Sequence, residues 1–309
     1  MRIAMNESVI EVRNFSKHYG DFVAVDEISF EVGRGEIYGL LGPNGAGKTS
    51  TLESLEGLRA PDAGRLRVAG VDPTREVRAL RNLIGVQLQT SGLPANITVD
   101  ESMKFFCAYH GVEPNHEMIE RLGLGEKRQT QYSELSTGQQ RRLALALALA
   151  HEPQVLFLDE PTAGLDVSTR VELHSIMQEQ KRRGATILLA THDMAEAEEI
   201  ADRIGILLRG ELVATGTPME ITSTGAGLTK VSVRTEQDCL AADGSGFADV
   251  DSFHRKDEYY IFFSTDIGPT VAAIIQYVEA QGDRLIDLRV ERPSLEDRFL
   301  EITTQEVTQ

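Results

Sequence analysis

The chain has 309 residues, 41% apolar and 26% charged, the composition of a globular protein long enough for one large domain and a smaller one. Its formal net charge of −17 argues against nucleic acid as a partner, because phosphate binding ordinarily shows as a basic face. The longest apolar run, LALALALA at residues 143–150, covers eight residues where a bilayer span needs about 20. Residues 1–8 carry no apolar signal core, so neither direct lipid insertion nor export of the chain is expected.

The first sixty residues alternate as strands do: VIEV at 9–12, FVAV at 22–25, ISFEV at 28–32 and IYGLL at 37–41. The last of these runs into GPNGAGKTST, residues 42–51, and KTSTLESLEGL then reads as a helix. Residues 91–150 read as helical. Strand and helix alternate again through QVLFLD, a helix over 167–183, ATILLAT, a short acidic helix and RIGILL. Such alternation predicts a mainly parallel sheet with helices on its faces. Lys181, Arg182 and Arg183, just before Gly184, read as cations at a helix C-terminus rather than as a binding patch. TSTGAG at 222–227 reads as a flexible joint.

Beyond the joint, KVSVR, EYYIFF, a helix over 269–280, RLIDLRV and SLEDRFLEI predict a small α+β unit. Residues 225–309 carry a charge of −8 (8 basic, 16 acidic), against −9 (23 basic, 32 acidic) for the 224 residues before them, so the tail is the more acidic per residue. Cys107 and Cys239 lack a CxxC or a histidine partner and read as reduced structural thiols.

Gly42, Gly47, Lys48 and Thr49 match GxxxxGK[ST], set between a strand and a helix as a phosphate loop requires. Glycine lets the backbone N–H groups of Gly42, Pro43, Asn44, Gly45, Ala46, Gly47, Lys48, Thr49 and Ser50 turn around an anion, apart from the imino nitrogen of Pro43. Lys48 can reach β- and γ-phosphates, and the Thr49 hydroxyl can ligate Mg²⁺. The loop by itself fits kinases, GTPases and motor ATPases alike. No Asn-Lys-x-Asp occurs, so the usual guanine reader is missing.

The residues downstream resemble the ATP-binding cassette of ABC transporters over about residues 9–223. LSTGQQRR at 135–142 is similar to that family's signature, with Ser136, Gly138 and Gln139 as its nucleotide-binding members. Ser136 lies 23 residues before Asp159, at the end of QVLFLDE. The resemblance implies Asp159 as the Mg²⁺-side carboxylate, Glu160 as the general base, and Asp166 in the D-loop. It likewise implies Gln89 as the Q-loop glutamine and Mg²⁺ ligand, His192 as the switch histidine, and Tyr19 as the ring stacked on adenine. Each has a plainer reading. Ser136 and Gln139 also form a helix capping box, Asp166 can be an N-cap, Gln87 rivals Gln89, and His192 and Tyr19 can be structural. Thr137 departs from the family's glycine pair, and Ser50 replaces a threonine while keeping a hydroxyl.

LSTGQQRR, IGVQLQ at 84–89 and PSLEDRFLEIT at 293–303 are similar to the drug-exporter (ABC-2-like) type. The resemblance implies an α/β P-loop NTPase cassette with a mainly parallel sheet, an antiparallel β subdomain and a helical subdomain at about 91–150. That cassette would span 1–224, with an accessory α+β domain over 225–309. It further implies ATP and Mg²⁺ as cofactors and ATP-driven pairing as a homodimer or with another ABC subunit. A separate transmembrane permease would hold the chain at the cytoplasmic face of the membrane. The alternative is a soluble ABC ATPase with a regulatory or translation-associated role. A neighbouring reading frame encoding about six apolar spans would separate the two.

Overall fold

The computed structural model describes residues 8–87, 92–223, 229–242, 247 and 250–307. The chain divides into two compact units, residues 1–215 and 216–309. The first unit runs β1 (Ser8–Tyr19), β2 (Phe22–Gly33), β3 (Ile37–Leu41), α1 (Lys48–Leu55), β4 (Ala63–Val68), α2 (Val77–Arg81) and β5 (Ile84–Gln87). It continues with α3 (Val99–His110), α4 (His116–Arg121), α5 (Thr137–Ala148), β6 (Val155–Asp159), α6 (Val167–Arg182), β7 (Thr186–Thr191), α7 (Met194–Ile200), β8 (Arg203–Leu208) and β9 (Glu211–Gly216).

Six strands form the central sheet in the order β5-β6-β7-β3-β8-β9, and the pairs from β5 to β8 are parallel. Every residue of β3, β6 and β7 is buried, as expected for strands covered on both faces. Arg209 and Gly210, both at positive φ, make the two-residue turn from β8 to β9. A second, antiparallel sheet in the order β2-β1-β4 packs Ile10, Val12, Phe15, Phe30 and Leu66 against the central sheet's Tyr38 and Leu40. The two short strands expected over 22–25 and 28–32 are one strand, β2, with Glu27 at φ 47° where the register against β1 is irregular.

The expected helical region is α3, α4 and α5, whose Met103, Cys107, Ile119, Leu143 and Leu147 form one core with Leu156 and Leu158 of β6. Thr98 and Glu101 cap the start of α3 reciprocally. The C-terminus of α6 carries Lys181 and Arg182 in its last turn, and Lys181 pairs with Asp202 at 2.5 Å.

The second unit comprises α8 (Pro218–Ser223), β10 (Thr229–Thr235), β11 (Val250–Lys256), β12 (Tyr259–Ser264), α9 (Ile267–Ala280), β13 (Leu285–Glu291) and α10 (Leu295–Val307). Its antiparallel sheet has the order β11-β12-β10-β13, with Val231, Val233, Phe262, Ile274 and Val278 at the core. Thr222 and Ser223, read from sequence as part of a joint, close α8 instead, and residues 224–227 of that joint lie outside the described residues. The division between units falls before α8, whereas the sequence reading draws it after Thr224.

Candidate functional site

The loop between β3 and α1 is shaped by backbone that only glycine accepts easily. Gly47 has φ 106°, and a Cβ there would lie 2.4 Å from the Ala24 carbonyl oxygen. Gly47 is also the N-cap of α1 and supplies no side-chain cap, so the first N–H groups of the helix remain open to an anion. Residues 43–50 line a cleft of about 280 Å³ together with Tyr19, Phe22, Ala24, Asp159 and Glu160.

Lys48 is buried, and its ammonium donates to the carbonyls of Gly42 (2.6 Å) and Pro43 (3.3 Å) while lying 3.5 Å from Glu160 Oε1. Thr49 Oγ1 donates to Asp159 Oδ2 at 2.9 Å. Burial raises the Asp159 carboxyl above the usual range; the Thr49 hydrogen bond and Lys48 oppose that shift, and the Glu160 charge adds to it. Glu160 follows β6 directly at φ 50°, its N–H donating to Ala190 O at 2.9 Å. His192 Nδ1 lies 2.8 Å from Glu160 Oε2, while Glu160 Oε1 is buried without a hydrogen-bond partner among the described residues. Parallel strands thus bring the ends of β3, β6 and β7 to one edge, where a bound phosphate would meet one ammonium, two carboxyls and one imidazole.

At the outer wall Tyr19 Oη lies 3.3 Å from Ser50 Oγ, and Lys17 and Arg59 each stand 5.5 Å from its ring centroid. Tyr19 is 39% exposed. Phe22, 61% exposed on the same cleft, was not singled out by the sequence reading. Its signal was the proximity of a second aromatic to Tyr19 across a Gly-Asp turn.

The signature residues lie elsewhere. Ser136 caps α5, accepting from Gln139 N at 3.3 Å while Gln139 Oε1 accepts from Ser136 N at 2.9 Å, so the capping-box geometry is present. Asp166 caps α6, and hydrogen bonds from Ser168 and Thr169 hold its carboxyl well below the usual range. None of Ser136, Gly138, Gln139 or Asp166 lines the cleft of the glycine loop. Gln89 lies outside the described residues; its rival Gln87 ends β5 with its side chain buried and Oε1 unpartnered among them.

An open, mainly parallel sheet with a glycine loop at a helix N-terminus, and an acidic pair at the end of another strand of the same sheet, defines a P-loop nucleotide-binding protein. A family profile described as ABC transporter matches residues 25–163. The Nod factor export ATP-binding protein I of Paraburkholderia xenovorans is 36% identical over 311 residues, covering 98% of this chain and 99% of that protein. The daunorubicin resistance ATP-binding protein DrrA3 of Streptomyces coeruleorubidus is 34% identical, covering 97% of each. The probable multidrug ABC transporter ATP-binding protein YbhF of Escherichia coli is 41% identical over 226 residues, 71% of this chain, and the chain spans 39% of its length. Among solved structures, an ATP-binding subunit of an ABC transporter superposes with a TM-score of 0.66 at 29% identity, covering 69% of this chain and 92% of that one. A dimeric bacterial ABC transporter cassette gives 0.61 at 25% identity, covering 67% and 98%. The chain belongs to the ATP-binding proteins of ABC transporters, a family that binds ATP and hydrolyses it to drive transport.

Proposed function

We propose that the chain is the ATP-hydrolysing subunit of an exporter of drug-like or lipophilic compounds, working as a two-fold pair against a separate membrane permease. The observation that supports it most directly is the placement of Glu160, a buried carboxylate in the lining of the glycine-loop cleft, set between Lys48 and His192. On this reading the N–H groups of residues 44–50 hold the ATP phosphates, and Lys48 exchanges its carbonyl partners for β- and γ-phosphate oxygens. Tyr19 stacks on the adenine, with Phe22 beside it.

The hydroxyl of Thr49 and the carboxylate of Asp159 are hard oxygen donors already in contact, a pair suited to Mg²⁺. The ion supplies charge neutralisation on the phosphates. Glu160 takes the proton of the attacking water, and His192 holds its carboxylate in place. Gln89 enters as a further ligand on the family resemblance alone.

Ser136, Gly138, Gln139 and Asp166 do not line their own chain's cleft, which is the expectation for groups that complete the ATP site of a second copy. Among the described residues no helix is long and apolar enough to cross a membrane, so on this reading the permease holds the chain at the cytoplasmic face. The names of the full-length relatives favour export.

Mixing two inactive variants tests the pairing. Lys48→Ala removes the phosphate cation, and Ser136→Arg fills the signature with bulk. A mixed dimer collects both defects in one site and leaves the other intact. Random mixing makes about half the dimers mixed, so roughly a quarter of wild-type ATPase activity returns. Background activity in mixtures where mixed dimers form, with no ATP retained per dimer, refutes the shared site.

A further inference from the structure

The His192 side chain is 57% exposed and meets Glu160 Oε2 at 2.8 Å. A side chain so open to water is aimed chiefly by its backbone, and the residues on either side of it are tied down. Thr191, the buried last residue of β7, accepts from the Asp193 N–H at 3.0 Å through Oγ1. The same hydroxyl donates to Glu196 Oε2 at 2.9 Å. Both directions are fixed, because the amide N–H can only donate and leaves the hydroxyl proton for the carboxylate. Asp193, the N-cap of α7, accepts in turn from Glu196 N at 3.0 Å. Thr191, Asp193 and Glu196 thus close a ring of hydrogen bonds around the turn that carries His192.

A carboxylate is a poor choice if this ring serves packing alone. Glu196 is only 3% exposed, and its Oε1 is buried without a hydrogen-bond partner among the described residues. Facing that oxygen at 3.5 Å is Nε2 of the buried His174 on α6, equally unpartnered among them. Arg170, one turn earlier on the same face of α6, lies 3.8 Å from Asp193 Oδ2. Burying a charge with incomplete pairing destabilises a fold, and an apolar residue would fill the space between α6 and α7 with less penalty. What the carboxylate supplies, and an apolar residue cannot, is an acceptor that fixes the Thr191 hydroxyl.

We propose that Thr191 and Glu196 are positioning residues for ATP hydrolysis, holding the turn between β7 and α7 so that the His192 imidazole meets Glu160. The proposal deepens the ATPase reading above and rests on the role given there to His192. Neither side chain lines the glycine-loop cleft, so both act through His192 and not on ATP itself. Without the Thr191 hydroxyl, the Asp193 N–H and Glu196 Oε2 lose their buried partner, and the turn regains hydrogen bonds by moving toward water. The imidazole then leaves the Glu160 carboxylate, while the glycine loop is untouched.

Two pairs of variants of the full chain test this. Thr191→Val removes the hydroxyl at nearly constant shape, and Thr191→Ser keeps it. Glu196→Leu removes the acceptor, and Glu196→Gln keeps an oxygen for Thr191. Thr191→Val and Glu196→Leu should each slow single-turnover hydrolysis about tenfold, the worth of one hydrogen bond, with ATP affinity unchanged. Thr191→Ser and Glu196→Gln should hydrolyse ATP at near wild-type rate. A second readout is the His192 imidazole signal in histidine-labelled protein bound to a non-hydrolysable ATP analogue, assigned by its loss in His192→Ala. In the wild type that signal should move on Glu160→Gln. After Thr191→Val or Glu196→Leu it should no longer respond to that change.

Full hydrolysis by Thr191→Val and Glu196→Leu, equal losses in Thr191→Ser and Glu196→Gln, or a signal that still responds to Glu160→Gln overturns the positioning role and leaves that of His192 standing. A fall in ATP affinity that accounts for the lost rate, in chains that melt as the wild type does, overturns it as well. If one apolar variant does not fold, the other carries the test. Wild-type hydrolysis by His192→Ala, or a wild-type signal indifferent to Glu160→Gln, overturns the role of His192 and this proposal with it.

Discussion

Glu160→Gln separates binding from chemistry at the candidate site. The amide keeps the length of the side chain and can still accept from His192 Nδ1, the 2.8 Å contact that orients the carboxylate. Lys48 loses an anion at 3.5 Å but keeps its two carbonyl acceptors, so the cleft should hold its shape. Removing negative charge beside the phosphate position leaves ATP affinity equal or higher. On the proposed role of Glu160, what disappears is a base for the attacking water. A positioned general base is worth about 10²–10⁴ in rate, or about 3–5 kcal/mol of barrier. Fluorescent-nucleotide binding and single-turnover hydrolysis on the same preparation read the two quantities apart. Hydrolysis at near wild-type rate by a variant that binds ATP would refute the role of Glu160, and loss of ATP binding would refute the reading that its charge is dispensable to the bound state.

Gly85→Ala places a Cβ 2.0 Å from the Ala148 carbonyl oxygen, so α5 must shift from β5; a loss of about 1–3 kcal/mol is expected in denaturant unfolding, and unchanged stability would refute the close approach. Burial pushes Glu56 from its ordinary 4.5 up to about 8. The unfolded chain therefore releases this proton first, and the group lowers stability progressively from pH 4.5 to 8. Glu56→Gln should remove that slope, raising the melting temperature more at pH 8 than at pH 5; an equal rise at both refutes it. A chain ending at Thr215 retains every described residue of the loop, the acidic pair and His192, and should bind ATP as the full chain does in a binding titration. A folded truncation without ATP binding refutes the independence of the units.

What could be read from sequence was what is local in the chain. The glycine loop is one run of residues whose backbone geometry follows from residue type, and Asp159-Glu160 is fixed by the strand before it. Strand β4 (AGRLRV) was missed because only Leu66 and Val68 alternate inward, too short a signal beside its arginines. Strand β11 (VDSFHRK) was missed because polar residues dominate it. Helix α8 did carry a signature: Thr217 and Glu220 cap each other, with Pro218 at the first helical position, but the Ser-Thr-Gly run after it read as a joint. The stacked His110 and His151, and Glu56 with an Oε2 unpartnered among the described residues, are products of tertiary packing and leave no trace at fixed spacing.

Asp159, which ends β6, and Glu160, which follows it, are adjacent in sequence yet enter different surroundings, and the backbone is the reason. Asp159 is the last residue with strand geometry, so its side chain follows the pleat and meets Thr49 across the sheet edge. Glu160 turns into the left-handed region at φ 50°, a conformation that costs a residue with a Cβ about 1–2 kcal/mol. The turn swings its carboxyl toward β7, where His192 meets one oxygen, and leaves the other facing Lys48 without a hydrogen bond. Its N–H, bonded to Ala190 O, anchors the turn to the neighbouring strand. Glycine would relieve the strain at this position and would remove the carboxylate. On the proposed function, the strain is explained by the free oxygen this turn leaves facing the cleft rather than by any contribution to stability.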